Sequence, residues 1–310
     1  MNATLIFNPN SGLVNLVTPR QLEEALRAAG YAVDYQPTSG EEDLDAVLED
    51  VEGLVVAAGG DGTVRPIALR LIDRDVKLSI LPMGRANNIA RSLGIQGNPL
   101  AIVDGLRDPR HRRFDVGSVC CPWGEEHFLE TFGLGFFADT VAHLEPGEER
   151  SLPRVAAALA ETLAEYESRP IRMTVDGEDL PGDYTVVEVF NTRQLGPRLQ
   201  LAPEANPCDG QLHVLRIREG TRAELLGALT SLLIDGVEAP PSVSLVQGEE
   251  INIVWDGFPI HVDARQRPLV EEADRRLNSA AESPHERRSM LQVRVLAGAV
   301  DLLLPGGATP

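Results

Sequence analysis

The sequence predicts an N-terminal doubly wound parallel-sheet α/β domain followed by a C-terminal antiparallel β-sandwich domain, and three observations carry that reading. In the first third of the chain, strands that are apolar throughout alternate with helical stripes, the pattern of a parallel sheet covered on both faces. From about Arg113 the pattern changes to many short alternating runs broken by glycine and proline, as in antiparallel sandwiches and barrels. The chain has 310 residues, 43% of them hydrophobic, which is ordinary for a globular protein and too long for the comfortable size of one core. Two domains, 1–112 and 113–310, are therefore expected, with the last strands free to return to the first domain.

Each element has a local reason. Residues 3–7 (ATLIF) read as a buried strand ended by the polar turn Asn8–Gly12. Thr18 to Gln21 forms a capping box with Pro19 at the first helical position. Leu22, Ala25, Leu26 and Ala29 give that helix one apolar stripe, and Gly30 ends it. A strand at Ala32–Tyr35, a helix near Asp43–Leu48 and the apolar strand Leu54–Ala58 follow. Gly59-Gly60-Asp61-Gly62 breaks the last of these, and a helix runs on to about Leu71. Leu78–Leu81 forms the next strand, and Pro82-Met83-Gly84-Arg85 leads into a helix that closes near Leu93-Gly94.

The basic cluster Arg107–Arg113 is the expected crossing point between domains. Beyond it, strands are expected at Phe114–Cys121, Phe128–Gly133, Ile171–Val175, Thr185–Asn191, Gln211–Ile217, Ile251–Trp255, Pro259–Val262, Leu291–Leu296 and Val300–Leu304. Helices interrupt them near Val155–Glu167 and Thr221–Ile234. The leucine stripe 225, 226, 229, 232 and 233 in the second helix reads as core. Asp176-Gly177 reads as a hairpin turn. Glu271–Arg288 is polar and charged, an exposed insertion or short surface helix.

Composition excludes several function classes. With 28 basic against 47 acidic residues the formal charge is −19. That balance argues against a nucleic-acid partner, which needs clustered cations, and against electrostatic adsorption to acidic membranes. The single lysine, Lys77, sits in DVKLSILP, outside any Walker, pyridoxal or Schiff-base setting, so those chemistries are excluded. The three cysteines form no C-x-x-C pair, and the six histidines (111, 127, 143, 213, 261, 285) show no metal spacing. No apolar run approaches a membrane span, and the N-terminus lacks a signal-peptide core. A cytoplasmic setting is expected. Trp255 and Phe258 flank a turn where partial exposure would allow transient membrane contact, and a homodimer is compatible with the sequence.

The stretch VVAAGGDGTV (55–64) carries the clearest chemistry. A buried strand ends there in Gly59, Gly60 and Gly62 around one acid, and a helix begins at once. Glycines let main chain approach a ligand, and a helix N-terminus offers unpaired N–H groups to phosphate oxygens. Asp61 repels a bare phosphate and makes sense with Mg²⁺ between them. The loop LPMGRANN (81–88) holds the equivalent place after the next strand, where Asn87 or Asn88 also reads as a helix N-cap. Open α/β sheets bind ligands at this edge.

NPNSG (8–12), GGDGTV (59–64), LPMGRANNIARSLGI (81–95), GLGF (133–136) and APEANPCDGQL (202–212) occur in this order. Together with VDARQRP (262–268) they resemble the diacylglycerol kinase catalytic family, which includes bacterial lipid kinases and sphingosine kinases. The resemblance implies ATP and Mg²⁺ in a cleft between a nucleotide domain and a β-rich domain, and a lipid or lipid-like hydroxyl as acceptor. It places Asn8, Thr38, Gly59, Gly60, Asp61, Gly62, Thr63, Val64, Arg65, Gly84, Arg85 and Asn87 at the nucleotide, with Asp61 toward the catalytic Mg²⁺. It also implies a structural cation on Asp209 with main-chain oxygens of Asn206 and Gln211, an oxygen-only set that suits Mg²⁺ or Ca²⁺.

Three arginines depart from the family pattern. Arg85 stands where the family has Thr, Arg65-Pro66 where it has Asn-Glu, and Asp263-Ala264-Arg265 where it has Asp-Gly-Glu. The acid replaced by Arg265 is the one assigned to accept the proton of the substrate hydroxyl, and a guanidinium cannot take it. Asp263 is the remaining base, and Arg265 can stabilise charge in phosphoryl transfer. Three readings stay open: an active lipid kinase with altered catalytic residues, a NAD kinase-like enzyme, and a catalytically deficient nucleotide- or phospholipid-binding regulator.

Overall fold

The computed structural model describes residues 1–12, 17–38, 40–144, 152–166, 170–180, 182–196, 199–221, 223–227, 241–268 and 289–306. Two compact units are present, Met1–Val116 with Asn206–Gly210 and Leu296–Pro310, and Gly117–Ala205 with Gln211–Val295.

The first unit begins β1 (Asn2–Phe7), α1 (Pro19–Ala28), β2 (Ala32–Pro37), a 3₁₀ turn (Glu41–Asp43), α2 (Leu44–Leu48), β3 (Gly53–Gly59) and α3 (Asp61–Arg70). It continues with β4 (Val76–Pro82), α4 (Asn88–Ser92), α5 (Pro99–Gly105) and the start of β5 (Arg110–Cys121). The second unit holds β6 (Gly124–Phe128), β7 (Thr131–Gly135), α6 (Phe136–Ala142), α7 (Leu152–Glu165), β8 (Met173–Val175), β9 (Glu178–Leu180) and β10 (Tyr184–Phe190). After these come β11 (Gln194–Leu195), β12 (Leu199–Gln200), β13 (Leu212–Arg218), β14 (Val243–Gly248), β15 (Glu250–Trp255), β16 (Ile260–Val262), β17 (Arg265–Arg267) and β18 (Ser289–Leu304).

In the first unit β2, β1, β3 and β4 pair in that order, all parallel, and Asp301-Leu302 of β18 adds alongside Lys77-Leu78 of β4. Leu5, Leu54, Val55, Val56, Ala57 and Ala58 are fully buried, as expected of strands covered on both faces. The Thr18–Gln21 capping box forms, with Pro19 opening α1. The parallel register brings the carboxyl ends of β1, β3 and β4 to one edge, where Phe7 pairs with Ala58 and Gly59 with Pro82.

The second unit is a β-sandwich. One antiparallel sheet runs β14-β13-β10-β7-β16-β17 among the described residues. Against it lie β9, β8, β15 and the first half of β18, also antiparallel. Phe132, Leu134, Val187, Val189, Ile260 and Val262 from the first sheet and Met173, Val175, Ile251, Ile253, Leu291 and Val293 from the second fill one core. On the outer face of the first sheet a second core gathers Phe136, Phe137, Val186, Phe190, Leu215 and Ile217.

Several expectations are corrected here. Leu291–Leu296 and Val300–Leu304 belong to one sixteen-residue strand, β18. Trp255 and Phe258 are 2% and 8% exposed. They pack edge-to-face with each other, and Trp255 also with Trp123, so they offer no membrane surface. The segment Glu271–Arg288 and residues 229–234 of the leucine-striped helix lie outside the described residues.

Two of the two-residue hairpins in the second unit use left-handed backbone. Asp176-Gly177 joins β8 to β9 at φ 48° and 79°, and Asp263-Ala264 joins β16 to β17 at φ 48° and 55°. Such turns need positive φ at both central residues, which glycine adopts freely and alanine does not. Replacing Ala264 by Gly is therefore expected to raise stability by about 1 kcal/mol, read as a higher urea midpoint with unchanged slope.

Candidate functional site

At the carboxyl edge of the first unit three loops are stitched together. Asn8 donates its main-chain N–H to Ala58 O (3.1 Å) and its Nδ2 to Thr63 Oγ1 (2.8 Å). Met83 N donates to Gly59 O (2.9 Å). The turns after β3 and β4 touch main chain to main chain: a Cβ on Gly84 would lie 2.6 Å from Gly60 Cα and 2.8 Å from Asn87 Oδ1. Only glycine fits there. A Cβ on Gly62 would meet nothing within 4 Å, so the start of α3 faces open space.

Gly60 is the N-cap of α3 and supplies no side chain to its first amides. The first turn of that helix thus presents N–H groups and the positive end of its dipole at an open, glycine-lined edge. Asn87, at φ 53°, holds the neighbouring loop shut: its Oδ1 accepts from Gly84 N and its Nδ2 donates to Gly84 O, both at 2.8 Å. It occupies the N-cap position of α4 without capping it. Asp61 does that instead, its Oδ1 accepting from Ile89 N at 3.1 Å. Desolvation pushes the Asp61 carboxyl above the ordinary carboxylate range, while the amides of 87–89 pull the other way.

The three arginines occupy different settings. Arg65 is buried in α3 at 9% exposure. Arg85 is exposed, and its Cγ lies over Gly12, 3.2 Å from where a Cβ on that residue would stand. Arg265 is half-buried at the start of β17, paired with Val262. Thr38 follows β2 at the same edge as Asn8, half-buried.

The loop Asn206–Gly210 closes on a residue the sequence reading did not single out. Asp115, 2% exposed, accepts from Gly210 N (2.7 Å) and Gly298 N (2.6 Å), and its own N–H donates to Pro207 O (2.8 Å). Within the loop, burial and the Asp115 carboxylate push the Cys208 thiol up to about 12, so it is a resting thiol rather than a nucleophile. Asp209 is exposed, and Asn206 Oδ1 is buried with no hydrogen-bond partner. Gln211 donates Nε2 to Glu249 Oε1 at 3.0 Å. Among the described residues no three His, Cys, Asp or Glu side chains converge as a metal cage. A cation on Asp209 would therefore rest on main-chain oxygens.

In the second unit the Asp263 carboxylate accepts from three consecutive amides, Leu129 N (3.0 Å), Glu130 N (2.8 Å) and Thr131 N (3.1 Å). The same segment is gripped from the other side by Asn191, whose Nδ2 donates to Leu129 O and whose N donates to Glu130 O, both at 2.9 Å. Beside the turn, Ala264 borders an apolar cavity of about 60 Å³ walled by Phe137, Val141, Leu159, Leu195 and Leu199. Its one polar wall residue, Thr140, turns its hydroxyl back to Phe136 O.

Residues 2–119 match the profile of the diacylglycerol kinase catalytic domain, and residues 138–274 that of the YegS C-terminal NAD kinase beta sandwich-like domain. A protein of Klebsiella pneumoniae named "Probable lipid kinase YegS-like" is 30% identical, over 70% of this chain and 75% of its own. A diacylglycerol kinase of Mycobacterium tuberculosis is 26% identical over 71% and 72%. The solved structure of a diacylglycerol kinase from Bacillus anthracis superposes with a TM-score of 0.65 at 18% identity, covering 99% of this chain and 98% of that one. No helix among the described residues is long and apolar enough to cross a membrane.

The raised carboxyl of Asp61 sets a sign. Because its folded value lies above the ordinary 3.8, the carboxyl favours folding when protonated, and that contribution fades as pH rises from about 4 through the folded value. Asp61→Asn keeps an acceptor without the charge. Its stability relative to the parent chain should climb between pH 4 and 7, measured as the difference in urea midpoints across that range.

Proposed function

We propose, for a chain that belongs to the diacylglycerol kinase catalytic-domain family, the ATP-dependent phosphorylation of a hydroxyl on diacylglycerol or a related lipid. The observation that carries the reading is the bare crossing of the turns at Gly60 and Gly84, beside an open helix start with no side-chain cap. Polyphosphate can meet main-chain amides there with no side chain between, which is why ATP fits the residues present. Nucleotide binding is assigned to residues 1–112 and acceptor binding to 113–310.

Gly59, Gly60, Gly62, Thr63 and Val64 would cradle the phosphates, Asn8 holding Thr63 and Asn87 holding the neighbouring turn. Arg85, exposed above Gly12, would fork onto phosphate oxygens; Thr38 would line the same edge. Mg²⁺ would be held by Asp61 together with the nucleotide's own oxygens, and offsets their charge when bound. The acceptor oxygen attacks the γ-phosphoryl group in line, forming the new O–P bond as the bond to ADP breaks. Its proton passes to Asp263, and Arg265 stabilises the charge on the transferring group.

The cavity at Ala264 favours a lipid over a dinucleotide acceptor. Its aliphatic and aromatic walls suit the few carbons of an acyl chain that about 60 Å³ can hold and offer nothing to a ribose or a carboxamide. A bilayer-resident acceptor also implies transient membrane contact.

Labelled ATP with diacylglycerol in mixed micelles should yield labelled lipid. Asp263→Asn should lower kcat on the order of a hundredfold with the KM for ATP unchanged, while Arg85→Ala should raise that KM roughly tenfold at similar kcat. Label entering NAD instead of lipid would establish the kinase of a dinucleotide. Absence of any heat on titration with Mg-ATP would leave a scaffold without the proposed chemistry.

A further inference from the structure

Glu188 and His261 are both fully buried, and the proposed chemistry uses neither. They sit at the centres of β10 and β16, strands that are not neighbours: each pairs with β7, and both register on the same residue, Gly133. Their side chains meet across that glycine, with His261 Nε2 3.0 Å from the Glu188 carboxylate. A Cβ on Gly133 would overlap Glu188 Oε2 and His261 Nε2. The pair therefore bridges two strands over the bare main chain of a third.

Its cost shows that stability is not its purpose. Both groups are withdrawn from water, and His261 Nδ1 is left without a hydrogen-bond partner. Replacing such a pair by apolar side chains of similar volume is often neutral or stabilising. On either side along β10 the same face is apolar, with Val186 and Phe190 flanking Glu188 in the outer core. What a polar pair adds in that setting is a unique register.

Register matters here because β16 is only three residues long. A slip of one residue would turn His261 into the sandwich core and Val262 out of it. The next residue is Asp263, whose carboxylate reaches the amides of 129–131 only in the observed β7–β16 register. We propose that Glu188 and His261 are positioning residues: their buried contact over Gly133 locks β16 to β7 and thereby holds the Asp263 carboxylate in one place. The catalytic consequence rests on the role given to Asp263 above; the positioning itself does not.

The test uses the full chain with Glu188→Met/His261→Leu, which keeps volume and removes the polar contact. The melting temperature should stay level or rise. Amide exchange followed by mass spectrometry should accelerate on the order of tenfold or more at residues 129–131, while the rest of the second unit keeps its protection. In the kinase assay kcat should fall at least tenfold with the KM for ATP unchanged. Glu188→Gln, whose amide oxygen still accepts from His261, should keep parental exchange at 129–131 even if the double variant fails to fold. Parental protection in the double variant, or acceleration spread evenly through the unit, would overturn the inference. Exchange that behaves as expected in a chain without phosphotransfer would sink the kinase reading and leave the positioning intact.

Discussion

Contact between bare main chains at Gly60 and Gly84 is the constraint on which the candidate site depends. Parallel pairing of β3 with β4 delivers two strand-to-helix turns to the same edge. Two turns that close would ordinarily hold their side chains between them. With no Cβ at either position, the amides at the start of α3 lie open beside the second turn. Asn8 and Asp61 then tie the loops to one another, and Asn87 closes its own loop on Gly84. Each of these polar side chains bonds within the edge, so the surface left for a ligand is mostly main chain.

A second principle runs through both units: inward-turned aspartates grip main-chain amides. Asp61 takes an amide of α4, Asp115 those of Gly210 and Gly298, and Asp263 those of 129–131. Charge-assisted bonds of this type are the stronger kind and fix distant segments together. The partners lie 95 and 183 residues from Asp115 and 132 to 134 from Asp263. A chain with a formal charge of −19 thus spends a few of its acids on closing loops that no local pattern could close.

Much of this was legible in the sequence where the signal is local. Apolar strands, the Thr18 capping box and the glycine turn before α3 follow from periodicity and cap chemistry, and the Asp176-Gly177 hairpin follows from its turn residues. The strands β6, β9, β11, β12, β14 and β17 escaped because each is short or interrupted by polar residues, such as Ser244 and Gln247 of β14. Helix α5 escaped behind its Pro99 start, and α6 because Phe136–Ala142 continues an apolar strand without a polar break. The long-range contacts were illegible for a different reason. Glu188 reads as an odd charge within a hydrophobic strand and His261 as an isolated histidine. Only the register on Gly133, the first glycine of GLGF, shows that they belong together.

The same distinction separates the three arginines that stand apart from the family pattern. In sequence they form one class of substitution, each adding a cation where the family has a polar or acidic group. In the folded chain they divide by environment. Arg65 is drawn into the packing of α3, so its charge is part of the helix's own surroundings. Arg85 is exposed, and its aliphatic stem lies over Gly12 at the end of the Asn8–Gly12 turn. Arg265 begins the strand after the Asp263-Ala264 turn, and that turn keeps its left-handed geometry despite an alanine where glycine would be unstrained. The same turn carries the Asp263 carboxylate, which accepts from the amides of 129–131.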